Sequence, residues 1–131
     1  MLKIIPFLKF IFHTSILFLI ILSLFPGSIP GLILYGDLAK EPNIIENPFG
    51  TSLNHFFYYF YVSILGLFIY LKDKRYKILF YRLFFLSGIL EILQLMIPSR
   101  TFQYYDLIAN FSGVLVAYFL VKIYLHFKRH E

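Results

Sequence analysis

Cysteine is absent from the 131 residues, which excludes disulfides, thiol catalysis, zinc fingers and iron–sulfur clusters. Charge is scarce: Asp, Glu, Lys and Arg make up 15% of the chain, against about 25% in a typical soluble domain. Apolar and polar residues do not alternate with a period of two, which argues against a membrane β-barrel. No internal repeat or low-complexity tract is present. Hydrocarbon takes the place of charge, with 60% of residues apolar or aromatic and a mean hydropathy of +0.76. A soluble chain this short has too much surface to hide so much apolar material. A water-soluble domain and a disordered chain are therefore excluded. The net charge of +5 does not indicate nucleic-acid binding, because the basic residues do not form one patch. The remaining class is a small integral membrane protein.

A bilayer core about 30 Å thick takes about 20 mostly apolar residues to cross. Four stretches qualify, roughly Phe7 to Phe25, His55 to Leu71, Ile78 to Ile97 and Tyr104 to Tyr124. Each is expected to be helical, since backbone groups exposed to lipid must pair within their own segment. The fold class is thus an all-α membrane protein of four transmembrane helices, forming a single domain over residues 1–131.

The charges predict the orientation. Lys3, Lys9, Lys72, Lys74, Arg75, Lys77, Arg82, Lys122, Lys128 and Arg129 all fall on one side of a four-span chain, and only Lys40 and Arg100 on the other. Asp37, Glu41, Glu46, Glu91 and Asp106 fall on that other side or just inside it. By the positive-inside rule both termini are cytoplasmic, and Arg82 snorkels to the headgroups. The exit from the first span, FPGSIPG, has no A-x-A-like cleavage site and is crowded with proline, so the span is expected to be retained. In the long connection, Pro26, Pro30, Pro42 and Pro48 argue against regular structure, and the run GLILY is apolar enough to dip to the membrane surface.

Residues four, seven and eleven apart share a helix face. One such face carries His55, Tyr59, Val62 and Gly66, a second Ser87, Glu91 and Gln94 with Gly88 beside them, and a third Asp106, Asn110, Gly113 and Ala117. At a rise of about 1.5 Å per residue, Glu91 lies about 9 Å below Ile97 and Asn110 about 9 Å below Tyr104. The polar groups are thus expected at the outer end of three spans, as an outward-facing cup. Gly66, Gly88, Gly113 and Ala117 lie deeper, where small residues let helices approach closely.

Glu91 is the most informative residue, because a carboxylate within a span costs about 2.5–3.5 kcal/mol at mid-bilayer and faces the protein interior. It reads either as a functional group or as a protonated acid bonded to a neighbouring helix. Arg100 reads as a lipid-phosphate contact, as the charge partner of Glu91 or Asp106, or as a grip on an anionic substrate. Asp106 alone is an ordinary acid at a helix N-terminus, and Asn110 alone is interhelical glue. His13, His126 and His130 read as interfacial. No tight pair such as H-x-x-x-H supports a metal site from His55, Glu91 and Asp106, so no metal or cofactor is expected.

The stretch GILEILQLMIPSRTFQYYDLIANFSG resembles the signature of the VanZ-like membrane protein family. The matching positions are Glu91, Gln94, Arg100, Asp106, Asn110 and Gly113, with His55 and Tyr59 upstream, and the resemblance covers roughly residues 50 to 120. The family often carries an Asp–Lys pair just before the His, where this chain has Thr51 and Ser52. The resemblance implies a multi-pass protein of the bacterial cytoplasmic membrane, from a family whose founding member is associated with teicoplanin resistance.

Three functions remain open. In the first, the cup binds a lipid-linked or amphiphilic ligand, such as a lipid-linked cell-wall precursor, through Arg100, Gln94, Asn110 and Tyr59, and glycopeptide susceptibility changes. In the second, the chain is an intramembrane enzyme with Glu91 or Asp106 as general base, His55 as proton shuttle and Arg100 as electrostatic clamp. In the third, it is a structural or assembly subunit. The bilayer is the partner in every case, and the oligomeric state is not legible.

Overall fold

The computed structural model describes residues 4–43, 47–73 and 75–129; Lys3, Glu46, Lys74 and His130 lie outside them. The described residues contain no strand. The long helices are α1 (Ile4–Leu24), α3 (Ser52–Ile69), α4 (Tyr76–Leu93) and α5 (Tyr104–Lys128), with a short α2 (Ile29–Tyr35) in the first connection. A 3-10 turn, Gln94–Met96, continues α4. With that turn included, the four long helices are each long and apolar enough to cross a membrane.

The helices outrun the apolar stretches at several ends, because backbone hydrogen bonding continues past the residues that favour hydrocarbon. α3 starts at Ser52, before the aromatic run, and α5 continues to Lys128. α4 stops being regular at Leu93, and its last turn tightens into the 3-10 form, a common helix ending.

α5 packs chiefly against α3, with α4 against α5 and α1 against α3. Glycine permits the tightest of these approaches. A Cβ at Gly113 would stand 2.5 Å from the Phe56 carbonyl oxygen and 2.9 Å from the Phe60 nitrogen, so α3 and α5 touch backbone to side-chain position. A Cβ at Gly66 would meet the Phe12 ring at 2.5 Å, and one at Gly88 the Phe111 ring at 3.2 Å. Ala117 is fully buried with Leu67 and Val121. Stacked rings join α4 to α5, with centroids 4.4 Å apart for Phe84 and Phe111 and 4.2 Å apart for Phe80 and Tyr118. Lipid is as apolar as these side chains, so close packing rather than burial from water holds such helices together. Many large apolar residues accordingly face outward, among them Phe10, Phe18, Phe85, Ile92 and Phe119.

The proline-rich connection is more regular than its composition suggests. Pro30 sits in the first turn of α2, where a missing N–H breaks no helical bond. The Ser28 hydroxyl caps that turn by accepting from the Gly31 N–H at 3.0 Å. Gly36, at φ +68°, ends the helix in the left-handed conformation. The chain then folds back on α2, and the Ser28 N–H donates to the Leu38 carbonyl at 2.7 Å. The GLILY run becomes an exposed apolar helix face, with Ile33 76% and Leu34 62% accessible.

Gly113→Ala should lower the stability of the purified protein by about 1–3 kcal/mol, because the new methyl meets backbone that cannot yield. Gly88→Ala should cost under about 1 kcal/mol, since the Phe111 ring has room to shift. Thermal unfolding in detergent checks the order; equal effects would remove the backbone-contact explanation.

Candidate functional site

Two adjoining features lie at the Arg100 end of the bundle. The first is a buried polar cluster. Glu91, 1% exposed, receives two hydrogen bonds, from the Gln103 backbone N–H at 3.3 Å and from Asn110 Nδ2 at 3.2 Å. Asn110 Oδ1 faces His55 Nδ1 at 3.2 Å. His55 Nε2 lies 3.7 Å from Asp106 Oδ2, within ion-pair range and beyond a direct hydrogen bond. The Ser52 hydroxyl donates to Asp106 Oδ1 at 2.5 Å. The cluster therefore runs Ser52, Asp106, His55, Asn110, Glu91, across α3, α5 and α4.

The amide sets the direction of this chain. A carboxylate accepts, so Asn110 must turn its NH₂ towards Glu91 and its oxygen towards His55. In that orientation His55 Nδ1 donates to the Asn110 oxygen, and its Nε2 faces Asp106.

The second feature is a cavity of about 600 Å³. It is not the cup expected among the second, third and fourth spans, whose facing polar groups are packed against one another. The cavity opens instead between α1 and α3, roofed by the first connection, with Leu19, Leu22 and Ser23 on one wall and His55, Phe57, Tyr58, Tyr59 and Tyr61 on the other. Gln94 and Arg100 close its end. Tyr59 is 2% and Gln94 4% exposed. Phe57 and Tyr61 are half exposed, so the cavity reaches the lipid-facing surface. The Tyr58 hydroxyl donates to the Ser15 carbonyl at 3.2 Å, tying the two walls together.

The expected site residues thus divide. Glu91, Asp106 and Asn110 form the buried cluster. Tyr59, Gln94 and Arg100 line the cavity. His55 belongs to both. Gly66, Gly88, Gly113 and Ala117 lie at helix contacts. Among the described residues, no three His, Asp or Glu side chains are grouped closely enough to share a metal ion.

Arg100 departs most from expectation. It pairs with neither Glu91 nor Asp106. Its guanidinium donates to the carbonyls of Leu22 at 2.7 Å, Gly27 at 2.8 Å and Phe25 at 3.1 Å, and to Glu41 Oε1 at 2.8 Å. Leu22 is in the last turn of α1, where carbonyls lack helical partners and the helix dipole is negative. Arg100 therefore caps α1 and ties it to the connection. Ser99, at φ +68°, turns the chain in the step before it.

The profile of the VanZ/LLP1 family matches residues 10–125. The chain belongs to the VanZ/LLP1 family. No curated protein and no solved structure matches it. The match begins within α1 and ends within α5, so it takes in α1 and the first connection as well as the stretch from His55 to Gly113. Of the residues shortly before His55, Thr51 lines the cavity and Ser52 bonds Asp106.

The sequence reading did not single out Ser52, Gln103, Glu41 or the wall from α1 as parts of this site. Ser52 had a signal, since it lies three residues before His55 and so on its helix face. Gln103 acts through its backbone, and the partners of Arg100 are mostly carbonyls; neither leaves a mark in residue type.

Arg100→Ala should destabilise the protein by about 2–3 kcal/mol, through loss of charge-assisted bonds to the end of α1. Glu41→Gln should cost under about 1 kcal/mol, because that pair is partly solvated. Membrane abundance and thermal unfolding in detergent check both; normal stability of Arg100→Ala would show that the cap is dispensable.

Proposed function

We propose that this VanZ/LLP1 protein lies in the bacterial cytoplasmic membrane with both termini cytoplasmic and the Arg100 end outside. In this reading the cavity between α1 and α3 binds a lipid-linked or amphiphilic ligand of the cell envelope, such as a lipid-linked cell-wall precursor. Occupancy of the cavity changes susceptibility to glycopeptides such as teicoplanin. The supporting observation is the cavity's composition: aromatic and aliphatic walls that reach the lipid-facing surface, with His55, Gln94 and Arg100 at its polar end. An amphiphile entering from the bilayer would put its chain along Phe57 and Tyr61 and its headgroup under the connection. The charge distribution along the sequence supports the orientation.

The buried cluster supports a second reading, an intramembrane acid–base enzyme. His55 Nε2 would exchange the proton at the cavity wall, and Asp106 would stabilise the imidazolium. Glu91 accepts from two donors and would act by holding Asn110 and, through it, His55. Arg100, with four bonds inside the fold, would act as a structural cap in either reading.

Reporters fused after Leu34 and Thr101 should read as external, and one after Lys74 as cytoplasmic; the reverse pattern would invert the orientation. Expression in a susceptible host should shift teicoplanin sensitivity, read beside vancomycin sensitivity and lipid and precursor profiles. Leu22→Trp, which narrows the cavity, should abolish the shift at normal abundance. His55→Gln should abolish it too if proton exchange matters, and should preserve it if binding alone suffices. An unchanged phenotype with Leu22→Trp would count against the cavity as the working site.

A further inference from the structure

A second cavity lies at the opposite, lysine-rich end. It measures about 590 Å³ and sits between the first turn of α4 and the last turns of α5. Lys77 and Tyr76 line it from α4, and Lys122 and Arg129 from α5 and the residue after it, with Ile123 and Phe127 as apolar wall. Lys122 and Arg129 are seven residues apart, so they share one face. Three cations therefore border one opening.

Nothing described within the protein neutralises them. The ion pairs among the described residues join His55 to Asp106, Arg75 to Asp73 and Arg100 to Glu41. Asp73 is the described acid nearest in sequence to Lys77, and it is committed to Arg75 at 2.7 Å. The Arg75 backbone N–H also donates to Asp73, and together these contacts hold its carboxyl below the usual carboxylate range. The first turn of α4 contains no acid and has no side-chain cap. The Lys122 ammonium rests 5.4 Å from the Tyr118 ring centre, a contact that leaves its charge intact. Like charges around one concavity repel, and an anion held among them relieves that repulsion.

We propose that this cavity binds the phosphate group of an anionic phospholipid. Lys77, Lys122 and Arg129 take the headgroup, Arg129 offering a fork of donors suited to phosphate oxygens. Ile123 and Phe127, both more than half exposed, take the start of the acyl chain. The apolar wall and the position at the end of two spans favour a lipid over a free anion, and basic pockets between membrane helices suit such headgroups. This inference does not depend on the cavity at the Arg100 end.

The test is titration of the full-length protein, purified in detergent, with short-chain phosphatidylglycerol. Phosphatidylcholine of the same chain length and inorganic phosphate are run as separate arms. Phosphatidylglycerol should bind more tightly than phosphatidylcholine, and more weakly as salt rises. Lys122→Gln with Arg129→Gln should weaken it by about fivefold per charge removed. Lys9→Gln with Lys72→Gln, at the same end but outside the cavity, should leave it unchanged. The charge-preserving pair Lys122→Arg with Arg129→Lys should retain binding, which separates lost charge from lost folding. Equal binding of the two lipids, equal loss in the cavity and control pairs, or loss in the charge-preserving pair would each overturn the site. Displacement of phosphatidylglycerol by inorganic phosphate at matching concentration would overturn the lipid assignment.

Discussion

A carboxylate buried among helices in lipid must find hydrogen-bond donors inside the protein, because the bilayer offers none. Glu91 meets that demand through α5, using the backbone N–H that precedes the helix and the side chain of Asn110. Those two bonds fix the height of α5 against α4. Asn110, once oriented by Glu91, fixes the tautomer of His55 and so brings α3 into the same arrangement. Asp106 and Ser52 then join α5 to the first turn of α3. The polar network thus sets the register of three helices at one end, while Gly113 and Gly88 set their separation further down. Van der Waals packing alone specifies register poorly between helices that are apolar on every side; a directional network supplies what packing lacks.

The parts of this arrangement legible in the sequence were those carried by side-chain type and helical spacing. Glu91 and Asn110 at equal depth follow from the rise per residue and the reversed directions of their spans. His55 and Asp106 follow from their place at the starts of two helices. The glycines were legible as points of close approach, although not which neighbour each would meet. The cavity was not legible, because one of its walls is α1, whose uniformly apolar face gives no sign of which side turns inward. The structural role of Arg100 was hidden for a different reason. Its acceptors are mainly backbone carbonyls, which every residue carries, and its one carboxylate partner lies 59 positions away across an irregular connection. The α2 helix depended on Pro30 falling in a first turn rather than in a helix interior, a distinction that proline content alone cannot make.

Among the described residues, His55 is the one member of the buried cluster that also lines the cavity. It is the point at which the buried network reaches the cavity wall. Its Nδ1 is committed to Asn110, and its Nε2 faces Asp106, which in turn accepts from Ser52. Glu91 and Asn110 hold the ring from behind. Removing either would change the orientation of His55 without touching the cavity, which makes them positioning residues in any mechanism that uses this histidine.

The two ends of the molecule handle charge in opposite ways, and this constrains what each can recognise. At the Arg100 end, the cation beside the cavity is already held by Glu41 and three carbonyls, and His55 lies beside Asp106. A ligand there gains little from its own charge, since displacing Arg100 would uncap α1. If that cavity binds a ligand as proposed, selection there rests on shape, on the aromatic walls and on uncharged groups such as Gln94, Asn54 and Thr51. At the lysine-rich end Lys77, Lys122 and Arg129 have no acidic partner among the described residues, so in the proposed lipid site affinity follows the charge of the ligand and falls with salt. A molecule with both features would be selective where it meets amphiphiles of similar charge and permissive where it meets anionic lipid. This division follows from which charges the fold has already used.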